Sequence, residues 1–106
     1  MKVLLDECIP VRLKWHLTEY DISTVVEAGW TGQKNGNLMR LAEENDFDAI
    51  FTVDKNLSFQ QNYKEINLII VVFDVVFNRL QDFIPLIPKL TSMLPQMTKG
   101  NVYVIK

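Results

Sequence analysis

Short continuous apolar runs, each closed by an acidic residue, constrain this chain more than any other feature. Val3-Leu4-Leu5 runs into Asp6 and Glu7, and Ala49-Ile50-Phe51-Thr52-Val53 runs into Asp54. A run without polar alternation reads as a strand covered on both faces, the habit of parallel sheets. Ligands of open α/β sheets bind outside the carboxyl ends of the strands. Asp6 and Asp54 are therefore expected at one edge. Two ionised carboxylates brought close repel, and a shared cation or a proton relieves the pair.

The remaining segments alternate helix and strand signals. Pro10 suits a helix start, and the spacing of Leu13, Trp15 and Leu17 predicts a helix over Pro10–Glu19. Ile22–Val26 is β-branched and reads as a second strand. Glu27–Gly36, with Gly29, Gly32 and Gly36, reads as a loop. Leu38, Leu41 and Ala42 predict a helix over Asn37–Asn45, before strand three at Ala49–Val53. Asn56–Tyr63 reads as a short helical turn and Leu68–Phe73 as strand four. Leu80–Leu94 carries Phe83, Leu86, Ile87, Leu90 and Leu94 on one face. Pro85 and Pro88 lie inside it, so that helix is expected to start near Phe83 or Pro85, or to kink in its first turn. Val102–Ile105 follows Gly100 as strand five. This order implies one domain over residues 1–106, an α/β sandwich around a mostly parallel sheet.

A chain of 106 residues, 48% hydrophobic, is large enough for one core and too small for two. With 11 basic and 13 acidic residues, the net charge of -2 argues against a large general nucleic-acid-binding surface. It leaves room for a basic rim around an acidic site. The lone cysteine, Cys8, allows no internal disulfide, and a cytoplasmic location is expected. No signal peptide is legible, since Asp6 and Glu7 interrupt the first apolar run. No run approaches the ~18 residues of a membrane span.

Each singled-out residue has an ordinary reading too. Asp6 and Glu7 suit the cap of a helix beginning at Pro10, and Asp54 the cap of a turn at Asn56. Acids at both strand ends favour a shared site over two separate caps. His16 has no motif partner and reads as a surface or half-buried packing residue. Cys8 reads as a small buried hydrophobe. Trp15, Trp30 and Phe59 are able to stack on bases, but core packing or an interface is the ordinary destination. The apolar residues of Leu80–Leu94, with Met93 and Met97 nearby, exceed what one face of a small sheet needs. They suggest that this helix, or the Trp30 loop, packs against another chain as a homo-oligomer.

The opening MKVLLDECIP, the loop GWTGQKNGNLMRLAEEN and the strand end FTVDKN resemble the stand-alone PIN-like domains, related to the VapC-type toxin ribonucleases. The likeness covers nearly the whole chain and is most specific in the first 60 residues. It implies a PIN-like three-layer α/β/α sandwich with a mostly parallel central sheet. It implies a Mg²⁺- or Mn²⁺-dependent nuclease site, RNA as substrate and an antitoxin protein as partner. The family's acids fall on Asp6, Glu7 and Asp54. Two further family acids, one opening the second helix and one following the strand-three aspartate, fall on Asn35 and Asn56. An asparagine oxygen ligates a cation but brings no charge, whereas one or two carboxylates suffice for Mg²⁺. Asp74, at the end of strand four, is an additional site-lining candidate. Arg12, Lys34, Lys55 and Arg79 are candidate phosphate contacts, each with a solvated surface charge as its ordinary reading.

Two other readings remain open. One is a catalytically inactive PIN-like module that binds a protein or RNA, which the two asparagines favour. The other is a receiver-like phosphoacceptor domain, with Lys106 at the end of strand five. Phe73 and Asp74 stand where that chemistry has a Ser or Thr, and no helix follows Lys106.

Overall fold

The computed structural model describes residues 1–56 and 65–106. Among them, β1 (Lys2–Leu5), β2 (Asp21–Thr24), β3 (Ala49–Thr52), β4 (Ile69–Phe73) and β5 (Asn101–Ile105) form one sheet in the order β2-β1-β3-β4-β5. Every pairing is parallel. β3 and β4 are buried along their whole length, as their unbroken apolar runs require.

Successive side chains of a strand point to opposite faces, so each run feeds two cores. Val3, Leu5, Phe51, Val71 and Phe73 meet Leu13, Leu17, Phe83, Leu90 and Leu94 on one face. Leu4, Ile50, Ile70 and Val72 meet Val25, Leu38, Met39, Ala42 and Phe47 on the other. The result is a three-layer α/β sandwich.

The elements differ from the sequence expectation in several places. The segment after Pro10 is a 3-10 turn over Val11–His16, closed by bonds such as Leu13 N–H to the Pro10 carbonyl at 3.0 Å. Leu13 and Leu17 anchor it in the core. The second strand stops at Thr24, and Val25–Ala28 forms α1. Thr24 Oγ1 accepts the Glu27 N–H and Glu27 Oε1 accepts the Thr24 N–H, both at 3.0 Å. This reciprocal cap overrides the β-branched preference of Val25 and Val26, and its Thr-x-x-Glu signature is present in the sequence. α2 spans Asn35–Glu44, two residues earlier at its start than the leucine spacing suggested.

The proline-bearing segment is broken rather than continuous. It runs as α3 (Leu80–Phe83), a 3-10 turn (Ile84–Leu86), α4 (Ile87–Met93) and a final 3-10 turn (Leu94–Gln96). Pro85, Pro88 and Pro95 each fall in the first turn of a piece, where a missing N–H is tolerated. Phe83, Leu90 and Leu94 are fully buried and Leu86, Ile87 and Met93 pack beside them. The apolar excess of this segment thus has a destination within the chain. The expected turn from Asn56 to Tyr63, with Phe59, lies beyond residue 56 outside the described residues. Among the described residues no helix is long and apolar enough to cross a membrane.

Candidate functional site

The connection from β1 leads to β2 on one side, and the next strand, β3, pairs on the other. Such a reversal opens a crevice beyond the carboxyl ends of the two strands. Asp6 and Asp54 sit there. The ladder pairs Leu5 with Phe51, and the Asp6 N–H extends it by donating to the Phe51 carbonyl at 2.9 Å. A cleft of about 420 Å³ is lined by Asp6, Glu7, Cys8, Gly32, Gln33, Val53 and Asp54.

Local bonds orient these carboxylates. Asp6 Oδ1 accepts the Glu7 N–H at 2.8 Å, and Asp6 Oδ2 accepts the hydroxyl of Thr52 at 2.7 Å. The same Thr52 oxygen accepts the Asp54 N–H at 3.1 Å. Asp54 Oδ1 accepts the Asn56 N–H at 3.0 Å. Thr52 is fully buried, a polar group inside an apolar strand, and both bonds satisfy it. Glu7 turns to the opposite wall, where its Oε1 accepts the Gly32 N–H at 2.6 Å. Gly32 has a φ of 82°, the left-handed region that glycine enters without steric cost.

Cys8 is exposed on this cleft rather than buried as a small hydrophobe. The turn that follows β1 brings Ile9, not Cys8, into the core. Partial desolvation, then the charges of Asp6, Glu7 and Asp54, push its thiol above the ordinary range. It therefore stays protonated and is a poor nucleophile near neutral pH.

Among the described residues, Asp74, Arg79, Arg12 and Lys34 are not part of the cleft lining. Asp74 closes β4 at the same edge and pairs with Lys55 at 2.7 Å, bridging the ends of β3 and β4. Lys55 holds the Asp74 carboxyl below the usual range. Arg79 is engaged at the start of α3, with Nε 3.0 Å from Asp82 Oδ2, and it stacks over the Phe77 ring at 4.7 Å. Arg12 is exposed on the Val11–His16 turn, and Lys34 is the exposed residue preceding α2. Asn35 opens α2 directly after Gln33 and Lys34, and Asn56 meets the site through its backbone. Trp15 is exposed, whereas the Trp30 ring packs edge-on against Phe47 at 5.8 Å.

Three residues of the site escaped sequence reasoning: Thr52, Gly32 and Gln33. Thr52 carried a signal, as the polar residue of an apolar run two positions before Asp54. Gly32 and Gln33 carried none beyond their loop composition.

The donor set suits a hard cation. Mg²⁺ is held by one or two carboxylates, with water and phosphate oxygens completing its shell, and Asp6 and Asp54 supply two. Among the described residues, no three acidic, histidine or cysteine side chains converge as a complete ligand set. Glu7, bonded to Gly32, is the lining acid turned away. Comparison with family models, curated proteins and solved structures returns no match.

Proposed function

We propose that this chain is a PIN-like domain whose cleft uses Mg²⁺ or Mn²⁺ to hydrolyse phosphodiester bonds of RNA, as the toxin of a toxin–antitoxin pair. One observation carries the reading. Asp6 and Asp54 line a single cleft at the strand-order reversal, coupled through the buried hydroxyl of Thr52. Asp6 and Asp54 would hold the cation, which when bound polarises a phosphoryl oxygen and lowers the pKa of water. Thr52 keeps one Asp6 oxygen turned and the Asp54 backbone in place. Glu7, turned to the opposite wall, adds negative charge to the cleft.

The test is cleavage of mixed single-stranded RNA with Mg²⁺ or Mn²⁺ by wild type, Asp6→Asn and Asp54→Asn. Metal-dependent cleavage lost in both variants supports the reading. Cleavage that survives both substitutions overturns it.

The second reading is an inactive PIN-like binding module, favoured by asparagine at positions 35 and 56 and by the incomplete ligand set among the described residues. Metal binding without cleavage would select it. The receiver-like reading is weaker on the same geometry. At the end of β4 it meets buried Phe73 and an Asp74 already paired to Lys55, where it needs a hydroxyl.

A further inference from the structure

Glu7 is a cleft carboxylate bonded across to the loop between α1 and α2. Its partner Gly32 lies 25 residues away, and the 2.6 Å contact is short for an N–H donor, as a charge-assisted bond is. The loop is pinned on both sides of this contact. The Trp30 N–H donates to the Val25 carbonyl at 3.0 Å, and the Trp30 ring rests on Phe47. On the far side, the Leu38 N–H bonds the Lys34 carbonyl at 2.8 Å in the first turn of α2. Residues 31 to 34 between these anchors are all exposed. Gly32 and Gln33 nonetheless form a wall of the cleft. Between the anchors, Glu7 ties this stretch to the floor of the site.

We infer that Glu7 is a latch: it holds the Thr31–Lys34 loop against the cleft, and a divalent cation at Asp6 and Asp54 draws its carboxylate away and frees the loop. The inference rests on the cation-binding reading above. Glu7 follows Asp6 directly and lines the same cleft, so a cation there is within Coulomb range of its carboxylate. Gly32 stands on the wall opposite Asp6 and Asp54, and a double charge attracts the carboxylate more strongly than one amide dipole does. The side chain reaches one wall or the other, so loading of the site is linked to the position of the loop.

Hydrogen exchange at the Gly32 amide, read by NMR, tests this, with Mn²⁺ broadening of the Asp6 and Asp54 amides as a separate report of cation binding. In wild type, saturating Mg²⁺ should speed Gly32 exchange about three- to tenfold, the range of one lost hydrogen bond. Glu7→Ala should exchange fast without metal and respond no further. Glu7→Gln keeps a neutral acceptor and should exchange slowly with or without Mg²⁺. If Glu7→Ala without metal exchanges as slowly as wild type, there is no latch. If Mn²⁺ broadens the wild-type site while Mg²⁺ leaves Gly32 unchanged, the coupling fails and the cation reading stands. If Mn²⁺ broadens neither aspartate amide, the cation reading fails and takes the coupling with it.

Discussion

The hydroxyl of Thr52 donates to Asp6 Oδ2 at 2.7 Å from within the buried strand β3. It joins the ends of two neighbouring strands and, by accepting the Asp54 N–H, orients the second acid too. A side chain 0% exposed in an otherwise apolar strand thereby orders an open cleft.

Thr52→Val keeps the shape and removes both bonds. The Asp54 N–H then loses this acceptor, and a lost bond of this kind costs about 1–3 kcal/mol. Urea unfolding should show a lower midpoint with an unchanged slope. The stabilisation by Mg²⁺ should shrink as well, because Asp6 loses its orientation. An unaltered midpoint would show that Thr52 holds nothing.

Mg²⁺ or Mn²⁺ should stabilise the folded chain by binding the native cleft. For a dissociation constant of about 1 mM, about 10 mM Mg²⁺ adds roughly 1.4 kcal/mol. For a domain of this size that raises Tm by about 5–10 °C. The shift should vanish in the double variant Asp6→Asn, Asp54→Asn. An equal shift in that variant would place the cation elsewhere.

Replacing Asn35 and Asn56 by Asp should tighten cation binding and raise RNA cleavage. Without metal, the new charge at position 56 repels Asp54, whose carboxylate accepts the Asn56 N–H. The new charge at position 35 opens α2 and gains from the helix dipole. The apo-protein cost should therefore appear in Asn56→Asp and not in Asn35→Asp. Melting curves of the single and double variants, with and without Mg²⁺, read this out. Metal dependence equal to wild type would remove both positions from the site.

Asp48 makes the fold acid-sensitive at the sheet edge opposite the cleft. The Lys2 N–H bonds its Oδ2 at 2.8 Å, and Lys99 lies 3.1 Å from its Oδ1. The Lys2 amide first, then Lys99, hold its carboxyl below the ordinary range. A depressed folded pKa contributes stability above the unfolded value of about 4, and that contribution is lost as pH falls through the folded value. Wild type should exceed Asp48→Asn in urea midpoint near neutrality, and the gap should close below about pH 4. A gap that stays constant across this range would show that the charge is immaterial.

Much of the frame was legible in the chain itself. The unbroken runs at Val3–Leu5, Ala49–Val53 and Leu68–Phe73 require strands covered on both faces, and the strands within them, ending at Leu5, Thr52 and Phe73, are so covered. The acids that end the first two runs had to emerge at one edge, because parallel strands share a direction. Proline at 85 and 88 announced a break, and the break follows their missing N–H groups. Val25 and Val26 misled, because propensity is weaker than the reciprocal bonds of Thr24 and Glu27.

These features depend on residue type and local spacing, which a sequence displays directly. The neighbour relation of β1 and β3, the bridge from Thr52 to Asp6 over 46 positions and the contact of Glu7 with Gly32 over 25 do not. Nor does the exposure of Cys8, decided by which residue of the turn reaches the core. Tertiary packing alone chose these partners, since a contact between distant segments depends on how whole elements stack and leaves no periodic trace along the chain.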